Sequence, residues 1–179
     1  GNNLISSAGI ALVDSWHPVP DRAMRFRLQA RLPEGFSAIS ESDHFPLPTA
    51  GDTATATYGR PLPVLHFIAG PYVHDSLEVR QGLLVHSLFF QEDQNLSRSY
   101  LEAAKGYLQR YEREIGPFPY AHYVIVANRL PTGLGMPTFT LMGQQVLRLP
   151  FIKETSLGHE ILHSWFGNSV EVDPSRGNW

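Results

Sequence analysis

A histidine, a glutamate and a second histidine stand close together near the end of the 179-residue sequence, as His159-Glu160-Ile161-Leu162-His163. Residues four apart on an α-helix lie on the same face, so both imidazoles can point at one ion. Imidazole nitrogens bind zinc at about 2.0–2.1 Å. Glu160 lies one position along, where a general base can take a proton from a zinc-activated water. The pattern predicts that His159 and His163 are zinc ligands and that Glu160 is the catalytic base.

The alternative interpretation is a structural helix with two solvent-facing histidines, because a motif this short also arises by chance. The flanking residues, however, are bulky and apolar: Leu157, Ile161, Leu162, Trp165 and Phe166. We therefore predict a buried helix that begins near Lys153 or Glu154 and ends at Gly167-Asn168. Burying two histidines and a glutamate in a core is energetically costly, and binding one metal ion would offset that cost.

Two histidines do not complete such a site, because a catalytic zinc usually has three protein ligands and a water. The sequence has no cysteine, so any further ligand is a histidine or a carboxylate. Glu171 and Asp173 follow the helix, but nothing in the pattern favours either, and we interpret both as surface acids. The remaining histidines are dispersed, and each is interpreted as a surface or satisfied core residue: His17, His44, His66, His74, His86 and His122.

The composition excludes some classes of partner. The formal net charge is -3 and the basic residues are scattered, which argues against nucleic acid as a partner. No apolar run approaches the roughly 20 residues needed to span a membrane. The localisation stays open.

The sequence around the motif divides into two parts. Up to about residue 80, short strand patterns alternate with Pro- and Gly-rich turns, which predicts an all-β part. From Asn95 or Ser97, apolar residues recur at helical spacing until Gly116-Pro117. The predicted strands are 10–13, 24–32, 36–40, 53–58, 64–69, 83–90 and 123–127, followed by a loop at 129–137 and a strand-like stretch at 139–149. The sequence therefore predicts an α+β fold with domains at 1–80 and 81–179.

The residues after His163 make the motif more specific, since they continue Ser164-Trp165-Phe166-Gly167-Asn168. This segment resembles the metal-binding helix of the gluzincin aminopeptidases, the membrane alanyl aminopeptidase family. Residues 15–21 and 64–72 are similar to parts of that family's N-terminal β domain. Residues 107–120 are similar to the opening of its thermolysin-like catalytic domain.

The resemblance implies the end of a saddle- or sandwich-like β domain at 1–80, followed by the first part of a zinc peptidase domain. It implies a zinc metallopeptidase, aminopeptidase-like, that hydrolyses peptide bonds in a peptide substrate. It further implies one zinc ion held by His159, His163 and a glutamate that lies beyond Trp179, outside this chain. The 179 residues alone are therefore expected to be catalytically incomplete.

The substrate-facing loop departs from the family pattern, which usually reads Gly-x-Met-Glu-Asn. The resemblance places Gly135, Met136, Pro137 and Thr138 in this loop as substrate-binding residues. Pro137 stands where the family has the glutamate that binds the free α-amino group, and a proline offers neither a carboxylate nor an amide N–H. Three alternatives to an aminopeptidase therefore remain: an endopeptidase, another hydrolase, or a non-catalytic module.

Overall fold

The computed structural model describes residues 3–131 and 133–170. These residues form twelve strands, three α-helices and two 3-10 turns. The strands are β1 Leu4–Ser6, β2 Gly9–Leu12, β3 Arg27–Arg31, β4 Ser37–Ser40, β5 Thr49–Ala50, β6 Thr53–Thr57, β7 Phe67–Gly70, β8 Tyr72–Arg80, β9 Leu83–Phe90, β10 His122–Asn128, β11 Gly133–Met136 and β12 Phe139–Gly143. The helices are α1 Gln94–Glu114, α2 Gln144–Leu147 and α3 Ser156–Leu162, and the 3-10 turns are Gln91–Asp93 and Ile152–Glu154.

The strands form three sheets stacked in layers. A three-stranded sheet has the order β3-β6-β5, a four-stranded sheet the order β1-β2-β7-β4, and a five-stranded sheet the order β11-β12-β10-β9-β8. Small side chains fill the space between the first two sheets, among them Ala38, Ala54 and Ala56. Ile39 and Ile68 of the four-stranded sheet pack against the five-stranded sheet. The helices cover the other face of the five-stranded sheet, so the predicted α+β fold class is confirmed.

The five-stranded sheet is mixed, and its centre is fully buried. The strand β10 is parallel to both β9 and β12, while β8 and β11 are antiparallel to their neighbours. All seven residues of β10 are buried, as expected for a parallel strand covered on both faces. The predicted apolar strand at 123–127 lies within it.

The helix α1 begins slightly earlier than the sequence indicated. Its N-terminal cap is Asp93, and neither Asn95 nor Ser97 caps it. Ser97 instead lies inside the helix, is buried, and shares a 2.8 Å hydrogen bond with the hydroxyl of Ser87 in β9. The polar residue that looked like a cap signal serves to join the helix to the sheet.

Three stretches were assigned incorrectly from the sequence. The predicted strand 24–32 is shorter, because only Arg27–Arg31 pair with β6, while Met24 forms an isolated bridge with Leu62. The predicted loop 129–137 contains β11, and the strand-like stretch 139–149 continues into helix α2. Hydrophobic patterns this short do not distinguish a strand from a turn of helix.

The strand β8 pairs with β9, so it is part of the five-stranded sheet. Sheet membership therefore changes between Gly70 and Tyr72. The domain division at residue 80 stays a prediction. Among residues 3–131 and 133–170, no helix combines the length and the apolar character needed to cross a bilayer.

Candidate metal and substrate site

The helix α3 is shorter than predicted and is buried on one face only. The 3-10 turn Ile152–Glu154 precedes it, and Thr155, with φ −128° and ψ −79°, separates the two. Leu157, Ile161 and Trp165 are buried, whereas His159 is exposed. The expectation of a helix buried on nearly all faces was wrong, so burial of the histidines gives no argument for a metal.

The position of α3 is set by close contacts with α1. The hydroxyl of Tyr111 donates a 3.3 Å hydrogen bond to the carbonyl of Gly158, and Trp165 Nε1 donates one of 3.1 Å to the carbonyl of Gly116. A Cβ atom at Gly158 would lie 2.6–3.0 Å from three ring atoms of Tyr107. Glycine at position 158 therefore permits the two helices to approach this closely.

Replacing Gly158 with alanine is expected to lower the free energy of unfolding by about 1–3 kcal/mol, since the added methyl group overlaps the Tyr107 ring. Urea denaturation measures this change. The matched control is Gly106→Ala in the middle of α1, where a Cβ meets no atom within 4 Å. That variant is expected to gain about 0.5–1 kcal/mol from helix propensity. Equal effects from the two substitutions would contradict the packing argument.

The two imidazoles of the motif converge. Nε2 of His159 lies 3.1 Å from Nε2 of His163, and the ring planes are at 82°. The backbone N–H of His163 donates to the carbonyl of His159, which keeps the two residues one helical turn apart. Two nitrogens bound to one zinc ion in tetrahedral geometry lie about 3.3–3.4 Å apart. The pair of nitrogens therefore fits two positions of a zinc site.

The His163 ring is held from its other side. Its Nδ1 lies 3.2 Å from the carbonyl oxygen of Phe166. A carbonyl only accepts, so this contact places the proton on Nδ1 and leaves the lone pair of Nε2 directed toward His159. Histidine ligands of metals are commonly oriented through such a second hydrogen bond.

Glu160 is half-buried beneath the strand β11. A Cβ atom at Gly135 would lie 2.9 Å from Oε2 of Glu160 and 3.2 Å from Cδ2 of His163. Burial raises the pKa of Tyr123 well above its ordinary value, and the negative charge of Glu160 adds a smaller contribution in the same direction. Because Gly135 has no side chain, the loop strand approaches both the proposed base and one proposed ligand.

The predicted substrate loop is a tight hairpin. Met136 pairs with Phe139, so Pro137 and Thr138 are the two turn residues between β11 and β12. Thr138 has φ +76°, and a proline followed by a residue with positive φ is the arrangement of a type II turn. The turn explains why a proline is accommodated at this position.

The loop residues face different spaces. Gly135, Met136 and Pro137 line a cleft of about 480 Å³, together with residues 167–169 and with residues 41, 58, 60–64 and 66 of the β-rich part. Thr138 is buried and lines a separate cavity of about 160 Å³, next to Tyr58 and His122. The Asn168 amide donates to the carbonyl of Gly135 at 3.5 Å, which links the segment after α3 to the loop.

Within residues 3–131 and 133–170, no third histidine, cysteine, aspartate or glutamate joins the pair to make a complete metal site. Glu171 and Asp173 lie outside the described residues. The donor set that the structure shows is thus His159 and His163, with Glu160 beside them.

Three histidines that looked dispersed in the sequence lie together on one face of the five-stranded sheet. Nε2 of His74 is 3.0 Å from Nδ1 of His86, and the rings of His86 and His122 are 6.5 Å apart. Phe45, from the β-rich part, contacts all three rings. The sequence carried no signal for this histidine cluster, because its members come from three strands that pair only in the folded chain.

The histidine cluster is electrostatically unusual. Burial lowers the pKa values of His86 and His122 to about 4, and neighbouring imidazoles contribute a smaller part of this shift. Burial also lowers the pKa of His74, which Asp75 partly opposes. These imidazoles are therefore neutral in the folded protein at neutral pH.

No protein-family model matches the sequence, and no curated protein matches it. Among solved structures, the fold is similar to that of the M1 zinc metallopeptidase from Deinococcus radiodurans, with a TM-score of 0.68. The match covers 96% of this chain and 42% of that chain, at 17% sequence identity. This likeness shows the fold, which is that of part of an M1 zinc metallopeptidase. The chain spans less than half the length of the enzyme it matches.

Proposed function

We propose that this chain is part of a zinc metallopeptidase of the gluzincin aminopeptidase type, with His159 and His163 as zinc ligands and Glu160 as general base. The observation that carries the proposal is the 3.1 Å convergence of the two Nε2 atoms, beside a glutamate that the loop strand approaches closely. The fold shared with an M1 zinc metallopeptidase supports it.

The residues of this chain would act as follows. When bound, zinc would polarise the scissile carbonyl and lower the pKa of a water molecule. Glu160 would take a proton from that water and pass it to the leaving amine. Gly135, Met136 and Pro137 would line the substrate cleft. A third zinc ligand is expected from sequence beyond Trp179.

Two observations favour a mode of cleavage other than strict removal of N-terminal residues. Pro137 occupies the turn of the hairpin and has no amide N–H. Among the residues described, the 480 Å³ cleft has one carboxylate in its lining, Glu41, which is already paired with His66. An endopeptidase or another hydrolase is therefore the second candidate, and a non-catalytic module is the third.

The test is hydrolysis of a peptide with a free N-terminus and of the same peptide acetylated, using a chain extended past Trp179. An aminopeptidase is expected to cleave only the free peptide, whereas an endopeptidase cleaves both. Removing zinc with a chelator is expected to abolish either activity, and restoring zinc to recover it. Absence of cleavage in both peptides, with zinc bound, would leave the non-catalytic module.

A further inference from the structure

A carboxylate–imidazole pair, Glu41 and His66, lines the same 480 Å³ cleft as the loop Gly135–Pro137. Glu41 is 1% exposed. Its Oε1 lies 2.5 Å from Nδ1 of His66, and its Oε2 accepts the backbone N–H of His66 at 3.0 Å. Both residues adjoin the paired strands β4 and β7, so the backbone holds the pair rigidly.

The hydrogen bonds with Glu41 determine which ring nitrogen of His66 carries the proton. A carboxylate only accepts, so the proton of the neutral ring is on Nδ1 and Nε2 keeps its lone pair. His66 Nε2 has no hydrogen-bond partner among the described residues, and the ring is partly exposed. Burying a carboxylate is costly, and the pair contributes little to stability that apolar residues could not supply. The arrangement instead orients an acceptor nitrogen toward whatever fills the cleft.

We propose that His66 is a substrate-positioning residue whose Nε2 accepts a hydrogen bond from an N–H group of the peptide, with Glu41 fixing the ring. This proposal rests on the proposed function, which makes the cleft the substrate site. The N–H group is either the free α-ammonium or an internal amide. Arg60 also lines the cleft, but its guanidinium lies over the Tyr120 ring and donates to the carbonyl of Pro119.

The size and position of the cleft agree with this role. Its volume is within the range of small-ligand sites. One wall contains Gly135, which adjoins Glu160 and His163. The cleft that His66 lines therefore adjoins the proposed zinc site, and a peptide bound there would extend into it. Because Pro137 offers neither a carboxylate nor an N–H, His66 supplies a polar contact that the loop lacks.

Glu41→Gln tests the proposal without changing the shape of the pair. The backbone N–H of His66 needs an acceptor, so the glutamine carbonyl takes the place of Oε2. The amide NH₂ of the glutamine then faces Nδ1 of the ring. Nδ1 then accepts, so Nε2 carries the proton and becomes a donor. The variant is expected to raise KM for peptide hydrolysis about tenfold or more with kcat nearly unchanged. Nitrogen NMR of the His66 ring reports the change of tautomer.

His66→Phe is expected to raise KM similarly, because the ring is kept and the acceptor is lost. His66→Gln, whose side-chain carbonyl can accept, is expected to recover part of the binding. The matched control is Glu34→Gln on an exposed turn, which is expected to change neither KM nor kcat. An unchanged KM in both Glu41→Gln and His66→Phe overturns the proposal.

Peptide binding separates this inference from the proposed function. Calorimetric titration of trialanine and acetyl-trialanine is made in the Glu160→Gln background, where turnover is not needed. Weaker binding in the Glu41→Gln protein supports the role of His66 even when the parent hydrolyses no peptide. A loss of affinity confined to free trialanine identifies the α-ammonium as the group bound. A loss of affinity for both peptides identifies an internal amide. Equal affinity with and without the substitution rejects the role.

Discussion

Replacing Glu160 with glutamine is expected to lower kcat for peptide hydrolysis by roughly 10²- to 10⁴-fold, the range lost when a positioned general base is removed. Glutamine keeps the shape of the side chain beneath Gly135 but cannot take a proton. Neither imidazole forms a hydrogen bond with this carboxylate, and the ring of His163 is held by the carbonyl of Phe166. Zinc content, measured by metal analysis on the extended chain, is therefore expected to stay unchanged.

Glu154→Gln is the matched control, since this exposed glutamate lies on the 3-10 turn just before α3. It is expected to retain the activity of the unsubstituted protein. Full activity in the Glu160→Gln protein would remove this residue from the mechanism. Loss of zinc along with activity would instead assign Glu160 a role in metal binding.

Lowering the pH from 7.5 to 5.0 is expected to reduce the free energy of unfolding by about 4 kcal/mol through the histidine cluster. His86 and His122 have folded-state pKa values of about 4, below the ordinary 6.5. The unfolded chain therefore binds protons that the folded chain excludes. The stabilisation is fully present above pH 6.5 and is lost as the pH falls toward 4, at about 2 kcal/mol for each histidine by pH 5.

Urea denaturation across this pH range measures the loss. His122→Phe is expected to remove about half of the pH dependence, because an apolar ring beside Phe45 has no proton to bind. The double variant His86→Phe, His122→Phe is expected to lose most of the pH dependence between pH 7.5 and 5.0, with the remainder coming from His74, whose pKa burial also lowers. The cluster would not be the origin if the double variant kept the full dependence.

Much of the candidate site could be predicted from the sequence, because it depends on local spacing. Residues four apart on a helix face the same way, and this alone brings His159 and His163 together. The buried strand at 123–127 and the long helix ending near Gly116 were also predicted, since both are continuous patterns in the sequence. Predicting these features does not require knowing which elements pack or pair with one another.

The features that the sequence did not predict depend on distant pairing. The short strands β1 and β5 and the hairpin strand β11 have too few residues for a periodic pattern. The exposure of His159 could not be predicted either, because apolar neighbours show which residues a helix can bury and not which faces find a partner. The position of Gly135 above Glu160 follows from the β11–β12 hairpin, which no local pattern predicts.

Local helical geometry is enough to bring His159, Glu160 and His163 within one turn of each other, so this part of the site can be predicted from the sequence. The rest of the site depends on contacts between segments that are distant in the sequence. The tertiary structure placed the loop strand against Glu160, joined Glu41 to His66 across the paired strands β4 and β7, and assembled the histidine cluster from β8, β9 and β10. In each case, residues far apart in the sequence meet because strand pairing fixes their neighbours, and pairing is a property of the whole fold.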